Sequence, residues 1–361
     1  MNRLLPALML TVGCLTLTGC STLSYYHQLT RGHLEIARKA TPLSDAIASS
    51  DPATASKLKL VQRALTFAEQ ELGLDGNGSY ERYVDLERSH VLHNLYAAEE
   101  FSTALKHWCY PVVGCAAYRG YFDEALLEQE RSRLKQLTYD THMSPVTAYS
   151  TLGWFDDPVL NTFIELPEYR LVGLLFHELA HQQLYVKGDT EFNESFATAV
   201  ERAGLRAFYR NSPGPELAHY RAHADTLNRI DALAQSARDR LAELYSQPVP
   251  DAEKRARKIG ILKSTTAEYE QLVGRNIDTL NNASLGVINT YGALVPDFEK
   301  VLASVHGDLR LFTTMMRSLE PLDSAARRTC LRDWSENRAA PEIQASCPPR
   351  LEPPRIDLET P

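Results

Sequence analysis

The segment His177-Glu178-Leu179-Ala180-His181 combines residue types that bind a metal ion and use it in catalysis. On a helix, positions four apart lie on one face, so both imidazoles can reach one ion while Glu178 projects beside them. Zinc binds neutral imidazole nitrogens, and a carboxylate next to an open coordination position can take a proton from water. The spacing therefore predicts a site for one zinc ion, with His177 and His181 as ligands and Glu178 as general base.

A third ligand is expected from a helix that follows closely and packs against the first. Glu194 lies in the segment Phe192 to Ala197, in the first turn of such a helix, and its aromatic neighbours argue against full exposure. Glu191 and Glu201 are the competing ligands. Glu201 lies on the same helical face as Glu194, so it could instead hold the outer nitrogen of a ligating histidine. We predict Glu194 as the third ligand.

The elements around this motif follow from periodicity and breakers. An unusually apolar helix is expected over about residues 168–186, and Thr190 is the expected cap of the next helix. The β-branched and aromatic run Val146 to Leu152 predicts a strand. Other helices are expected from Asp51 to about Gly73, from about Tyr80 to Leu105, and from Phe122 to Leu137. His90 and His93, on the second of these, are interpreted as structural.

The HExxH helix followed by an Asn-Glu helix resembles the gluzincins, the clan of thermolysin and the large zinc aminopeptidases. More narrowly, the sequence is similar to a bacterial lipoprotein family described as predicted aminopeptidases. That resemblance extends to about residue 210 and rests on residues 108–115, 118–122, 148–158, 176–181 and 187–197. It implies a mainly α fold with a small β-sheet (α+β), a gluzincin-like zinc peptidase core, and peptides as substrates.

The chain departs from the larger gluzincins in two respects. Twelve residues separate His181 from Glu194, fewer than in the better-known members, so the connection must be tight. The chain also lacks a Gly-x-Met-Glu-Asn segment, whose glutamate grips the free α-amine in the large aminopeptidases. An aminopeptidase is the expectation, and an endopeptidase is the alternative.

The expected mechanism needs further residues around the metal. Zinc lowers the pKa of its bound water, Glu178 accepts the proton, and a nearby donor stabilises the tetrahedral oxyanion. By resemblance to gluzincins that donor is a downstream Tyr or His, and Tyr291, in a segment expected to be irregular, is the candidate, with Tyr185 as a rival. The Val146 to Leu152 strand could pair with an extended peptide, so Tyr149, Asp156 and Asp157 are candidate substrate-binding residues.

The N-terminus predicts export and lipidation. Arg3 precedes an apolar run from Leu4 to Leu17 that is too short for a membrane span and is typical of a signal peptide. The run ends in Leu17-Thr18-Gly19-Cys20, which looks like a bacterial lipobox, so residues 1–19 are expected to be removed and Cys20 acylated. The lipid would anchor the chain in a membrane. The expected location is the cell envelope, and the resemblance to bacterial lipoproteins implies the periplasmic face of the outer membrane.

Cysteine usage agrees with an oxidising compartment. The chain has 6 cysteines, and four remain besides Cys14 and Cys20. They form two locally close pairs, Cys109 with Cys115 and Cys330 with Cys347, which favours disulfides over a four-cysteine zinc site.

Composition and charge set the remaining limits. The 361 residues are 44% hydrophobic and 23% charged, with a formal net charge of −8 and no long basic run, which argues against a nucleic-acid partner. Residues 20–347 are expected to form one catalytic domain: a helical part (24–140), the strand and zinc helices (144–210), a helical hairpin (215–283) and a C-terminal helical part (284–347). The Pro-rich tail, 348–361, is expected to be disordered.

The hairpin is predicted from apolar residues at alternating spacings of three and four, on either side of Pro248-Val249-Pro250. They are Leu227, Ile230, Ala234, Ala237, Leu241 and Leu244, and then Ile259, Leu262, Tyr269, Val273 and Leu280. Two long antiparallel helices with a heptad seam follow. The hairpin could also bind a protein partner. A non-enzymatic envelope lipoprotein with a structural zinc site is therefore the other functional alternative.

Overall fold

The computed structural model describes residues 5–110, 114–151, 155–211, 214–338 and 347–351, without the side chains of residues 5–21, 289 and 291. Helices predominate in this part of the chain and are α1 (Leu5–Lys39), α2 (Leu43–Ser49), α3 (Pro52–Phe67), α4 (Glu124–Gln136), α5 (Asn161–Ile164), α6 (Glu168–Gln183), α7 (Thr190–Phe208), α8 (Pro215–Ser246), α9 (Asp251–Val273), α10 (Asn282–Gly292), α11 (Val295–Ser304), α12 (Leu309–Ser318) and α13 (Ser324–Ser335). A π-helical turn (Ala68–Leu72) extends α3.

The strands are short and form three small sheets. They are β1 (Thr41–Pro42), β2 (Arg82–Val84), β3 (Leu92–Ala98), β4 (Trp108–Tyr110), β5 (Gly114–Ala116), β6 (Arg119–Tyr121), β7 (Asp140–Val146) and β8 (Val159–Leu160). The sheet orders are β1-β2-β8, β6-β3-β7 and β4-β5, and β3 pairs antiparallel with both of its neighbours. The expectation of a mainly α fold with a small β component is confirmed.

Two predictions about elements that precede α6 are wrong. The helix expected from Tyr80 to Leu105 is replaced by β2 and β3, because pairing of β3 with β6 and β7 overrides the helix propensity of its leucines and alanines. The predicted strand Val146 to Leu152 lies too late in the chain. The strand in this region is β7, which ends at Val146 and accommodates Pro145 because it lies at the edge of its sheet.

Helix α6 lies at the centre of the main core. One face of it is fully enclosed, including Leu171, Val172 and Phe176. These side chains belong to a single apolar cluster with residues of α3, α7, α11 and α12, of which Phe196, Phe298 and Phe312 are among the largest. At roughly 25 cal/mol per Å² of buried apolar surface, this burial stabilises the helix far more than its propensity does.

The hairpin of α8 and α9 forms as predicted, with a shifted seam. Ala234, Ala237 and Leu241 of α8 pack with Leu262 of α9. Ile259, predicted to lie in the seam, is 52% exposed. The buried face of α9 is formed instead by Lys258, Leu262, Thr265 and Thr266, and Ile259 lies outside this face. Leu227 is also outside this cluster and is 37% exposed.

Two disulfides join the cysteine pairs that the sequence predicts. Cys109 and Cys115 face each other across the β4–β5 hairpin, and Cys330 of α13 is bonded to Cys347. The side chains of the expected signal peptide and of Cys20, and most of the expected disordered tail (352–361), lie outside the described part of the chain. Within that part, no helix is long and apolar enough to cross a membrane.

Candidate metal centre

Helix α6 presents the HExxH residues from a buried position. His177 and His181 are 9% and 6% exposed, and their rings lie 4.9 Å apart between centroids. The helix ends at Gln183, and Leu184 is already extended. The motif therefore occupies the last two turns of a helix that is enclosed in the core along one face.

The connection to α7 is tight and is closed by an asparagine. Asn193 accepts a hydrogen bond from the Val186 amide and donates one to the Val186 carbonyl, both at 2.8 Å. Asp189, rather than the predicted Thr190, caps α7 by accepting from the Phe192 amide. The cap shifts because the Asp189 carboxylate is also fixed by Arg327 and Arg328. These bonds fix the short loop that brings Glu194 back beside α6.

Three ligand atoms converge on one point. Glu194 Oε2 lies 3.3 Å from His177 Nε2 and 3.6 Å from His181 Nε2. Two atoms that are each about 2.1 Å from a tetrahedrally coordinated zinc ion lie about 3.4 Å apart, so both distances fit the edges of such a site. The three residues form one of two groups in the described chain with metal-ligand spacing. The donor set of two imidazoles and one carboxylate is one that zinc accepts with a position left open.

Glu201 holds the outer nitrogen of His177. Its Oε2 lies 3.2 Å from His177 Nδ1, which leaves Nε2 directed at Glu194. Glu191, the other competing carboxylate, contacts Arg328 instead, at 3.1 Å. His181 differs from His177, because its buried Nδ1 has no hydrogen-bond partner within the described chain.

Burial and the neighbouring ionisable groups shift the pKa values of the two glutamates in the site, Glu194 and Glu178. Burial alone would raise the pKa of Glu194, but the neighbouring His181 and His177 hold it well below its usual range. Burial raises the pKa of Glu178, and the two histidines only partly offset this effect. The same site thus contains one carboxylate suited to remain ionised as a ligand and one suited to exchange protons, as general acid–base chemistry requires.

A cavity of about 1080 Å³ opens onto these residues. One wall is the continuous stretch from Ser144 to Thr151, the end of β7 and the segment after it. Tyrosines from several elements make up much of the remaining lining: Tyr25, Tyr26, Tyr96, Tyr110, Tyr118, Tyr149, Tyr169, Tyr185, Tyr220 and Tyr269. Its size and largely apolar lining are suited to an extended organic ligand.

The other residues predicted from the sequence to bind substrate or the oxyanion do not all lie at the cavity. Tyr149 and Tyr185 line the cavity, whereas its described lining does not include Asp156 or Asp157. Asp157 is buried and braces a loop, because its carboxylate accepts hydrogen bonds from the Thr151 amide (2.7 Å) and the Ser150 hydroxyl (3.3 Å). Asp156 is exposed.

Tyr291 belongs to the helix α10, so the expected irregular segment is wrong. A helix is favoured there because Ala283 and Leu285 of α10 are fully buried. The Tyr291 side chain lies outside the described part of the chain, so its predicted role stays a prediction.

Several residues near the site were not predicted from the sequence. Burial, followed by the charge of Glu194, raises the pKa of the Tyr118 hydroxyl, and Glu178 contributes to the same effect. Ser150 donates a hydrogen bond that lowers the pKa of Glu178. Tyr220 and His223 of α8 also line the cavity, so the hairpin is part of the site wall. A tyrosine between two short strands carries no sequence signal of catalysis.

Comparison with known families agrees with this architecture. Residues 24–331 match the family described as "Putative aminopeptidase". The chain belongs to this family. The match spans the last part of α1 (residues 24–39), the sheets, the helices α6 and α7, the hairpin and most of α13. No curated protein and no solved structure matches the chain.

Proposed function

We propose that this protein is a zinc-dependent peptidase, and specifically an aminopeptidase. The observation that carries the proposal is the convergence of His177, His181 and Glu194 beside Glu178 on the wall of a large cavity. The family description supports the reaction class, since it names an aminopeptidase.

The residues divide the chemistry among them. A zinc ion bound there would act as a Lewis acid and lower the pKa of water at the open coordination position. Glu178 accepts the proton of the attacking water and returns it to the leaving amine. Glu201 keeps His177 in the tautomer that directs Nε2 inward. Burial raises the pKa of Glu178, which favours this exchange of protons.

Peptide binding is supported by the cavity wall. β7 is an edge strand of the β6-β3-β7 sheet, and the segment beyond it continues along the cavity to Thr151. An extended peptide can form backbone hydrogen bonds with such an edge, as in strand-addition complexes. The tyrosine-rich lining favours apolar or aromatic side chains in the substrate.

Tyr118 is the favoured donor to the oxyanion. Tyr118 lines the same cavity as Glu178 and Glu194, and burial and then the charges of these two glutamates raise the pKa of its hydroxyl. Tyr185 also lines the cavity, and burial and then Glu194 raise the pKa of its hydroxyl. Removal of one such donor typically lowers kcat by about 10²–10³-fold. Tyr118→Phe should therefore reduce kcat by about a hundredfold with unchanged zinc content, and Tyr185→Phe should have a smaller effect. An equal kcat in Tyr118→Phe and the native protein would exclude this role.

The location proposed for the enzyme is the cell envelope. The signal-like N-terminus and Cys20 support lipid anchoring on the periplasmic face of the outer membrane. Two disulfides are consistent with an oxidising compartment. Cleavage of residues 1–19 and acylation of Cys20 are tested by mass spectrometry of the protein purified from membranes.

The test of the activity is hydrolysis of a mixed peptide library, half of it N-acetylated. Cleavage limited to free N-termini, and lost in Glu178→Gln, is the expected result. Cleavage of both halves would indicate an endopeptidase. No cleavage by zinc-loaded protein at any peptide length would favour the non-enzymatic scaffold with a structural zinc ion, and would overturn the proposal.

A further inference from the structure

A second cluster of metal-ligating side chains lies outside the candidate catalytic site. It consists of His90, His93 and Glu124, whose ligand atoms all lie within 4.8 Å of one another. His93 belongs to β3, His90 precedes that strand, and Glu124 is the first residue of α4. The sequence interpretation of these histidines as purely structural assumed a helix and no nearby carboxylate. Folding of β3 and α4 brings Glu124 Oε1 to 4.0 Å from His90 Nε2.

We propose that His90, His93 and Glu124 bind a second divalent transition-metal ion, of the zinc class, which braces the wall of the large cavity. Two imidazoles and a carboxylate suit zinc, copper or nickel rather than magnesium or calcium, whose preferred ligands are oxygens. The proposal stands on this cluster alone and does not depend on the proposed peptidase activity.

The two imidazoles are positioned for a shared ion. Their ring centroids lie 4.3 Å apart. His93 is fixed by the backbone of β3, where it lies opposite Tyr121 on one side and Pro145 on the other. The Ser89 hydroxyl lies 3.2 Å from His90 Nδ1, and this contact leaves Nε2 facing Glu124.

Closure around an ion requires small side-chain movements, since the ligand atoms lie within 4.8 Å of one another. Ligand atoms about 2.1 Å from a tetrahedral ion lie about 3.4 Å apart, which is less than the 4.0 Å between His90 and Glu124. The Glu124 side chain is 75% exposed, so a change of rotamer can shorten this distance. The nearby cation, Arg88, is paired with Glu35 at 3.0 Å and does not compete for the Glu124 carboxylate.

The position of this cluster gives the ion a structural role. Successive residues of a strand point to opposite faces, and Leu92, Asn94 and Tyr96 of β3 line the large cavity. His93 therefore projects from the other face of the same strand. An ion bound to it joins the start of β3 to the first turn of α4 and stiffens the cavity wall from behind.

Counting bound zinc tests the proposal directly. The full chain, without a histidine tag and in detergent, is dialysed against zinc, and the bound metal is measured by atomic emission. The variant is His90→Gln with Glu124→Gln, which changes one half-buried and one exposed side chain. Glu128→Gln is the control, because Glu128 lies on the same helix and contacts Arg131.

The expected result is that the double variant binds one zinc ion fewer per chain than the native protein, while Glu128→Gln binds the same number. His181→Ala should retain the ion at this cluster, so failure of the candidate catalytic centre is distinguishable from failure of this one. Zinc should also raise the melting temperature of His181→Ala, and this rise should disappear when the double substitution is added. An unchanged zinc count in the double variant would overturn the proposal.

Discussion

Glu201 provides the sharpest test of how the metal centre is built. Its carboxylate contacts His177 Nδ1 at 3.2 Å and contributes no atom to the ligand set. Substitution by Gln keeps the shape of the side chain and removes its charge. The metal affinity should fall because His177 is then less strongly oriented and less basic, while all three ligands remain.

The size of the effect follows from the contact. Loss of such an outer partner typically costs about 10–100-fold in metal affinity, or about 1.4–2.8 kcal/mol. The 3.2 Å distance is longer than the about 2.8 Å of a strong charge-assisted hydrogen bond, and the Glu201 side chain is 31% exposed. Both features place the expected loss near the lower limit, about tenfold.

The assay is competition for zinc between the protein and a chromophoric chelator at pH 7.5. Glu191→Gln is the control, because Glu191 lies on the same helix and contacts Arg328. We expect Glu201→Gln to bind zinc about tenfold more weakly and Glu191→Gln to bind it as the native protein does. Unchanged affinity in Glu201→Gln would refute the reasoning, and a complete loss of binding would make Glu201 a ligand itself.

Three further substitutions test the scaffold. Asp189→Asn removes the partner of a buried ion pair, which costs about 3–5 kcal/mol of unfolding free energy at pH 7. Burial raises the pKa of Asp189, but the bonds to Arg328 lower it further, and the net shift is downward. The contribution of Asp189 to the unfolding free energy is therefore present above about pH 4 and is lost at lower pH. In denaturant melts the variant should therefore approach the native protein only under acid conditions. The stability contribution of Asp157 has the opposite pH dependence, since burial raises the pKa of Asp157 from 3.8 to about 6. Its contribution is present below pH 3.8 and is lost as the pH rises through 6, so Asp157→Asn should gain about 3 kcal/mol relative to the native protein between pH 4 and pH 8. Gly204→Ala places a Cβ 2.6 Å from the ring of Phe176, between α6 and α7, and should lower the unfolding free energy by about 1–3 kcal/mol.

Each of these has a result that contradicts it. A difference between Asp189→Asn and the native protein that is constant from pH 2 to pH 7 would show that the ion pair is not the cause. For Asp157→Asn, a difference in unfolding free energy that does not change with pH would show that the buried carboxylate charge does not destabilise the native protein. A melting temperature of Gly204→Ala equal to that of the native protein would show that α6 and α7 can separate without cost.

The core of the site could be predicted from the sequence because its geometry is local. His177 and His181 share a face through helical periodicity alone, and Glu194 follows in the next helix after a short connection. The sequence alone did not determine which glutamate of α7 is the third ligand. Spacing along α7 left Glu191, Glu194 and Glu201 as rivals. The packing of α7 on α6 separates the candidate ligand, Glu194, from Glu201, which holds His177.

The remaining features depend on contacts between residues distant in the chain. The leucines and alanines of β3 favour a helix locally, and the strand forms through pairing with β6 and β7. The same pairing brings Glu124 to His90 and His93, a cluster with no sequence motif. Tyr118 and the residues of α8 reach the cavity through tertiary packing, which periodicity cannot reveal.

Stoichiometric restoration of activity tests the central claim most directly. The protein is stripped of metal with a chelator, and peptide hydrolysis is measured as zinc is added back, beside Glu178→Gln and His181→Ala. We predict that hydrolysis returns with zinc in the native protein, that Glu178→Gln binds the same amount of zinc without turnover, and that His181→Ala binds one ion fewer and is inactive. Full hydrolysis by Glu178→Gln, or by native protein without metal, would contradict the assignment of this centre as a zinc peptidase.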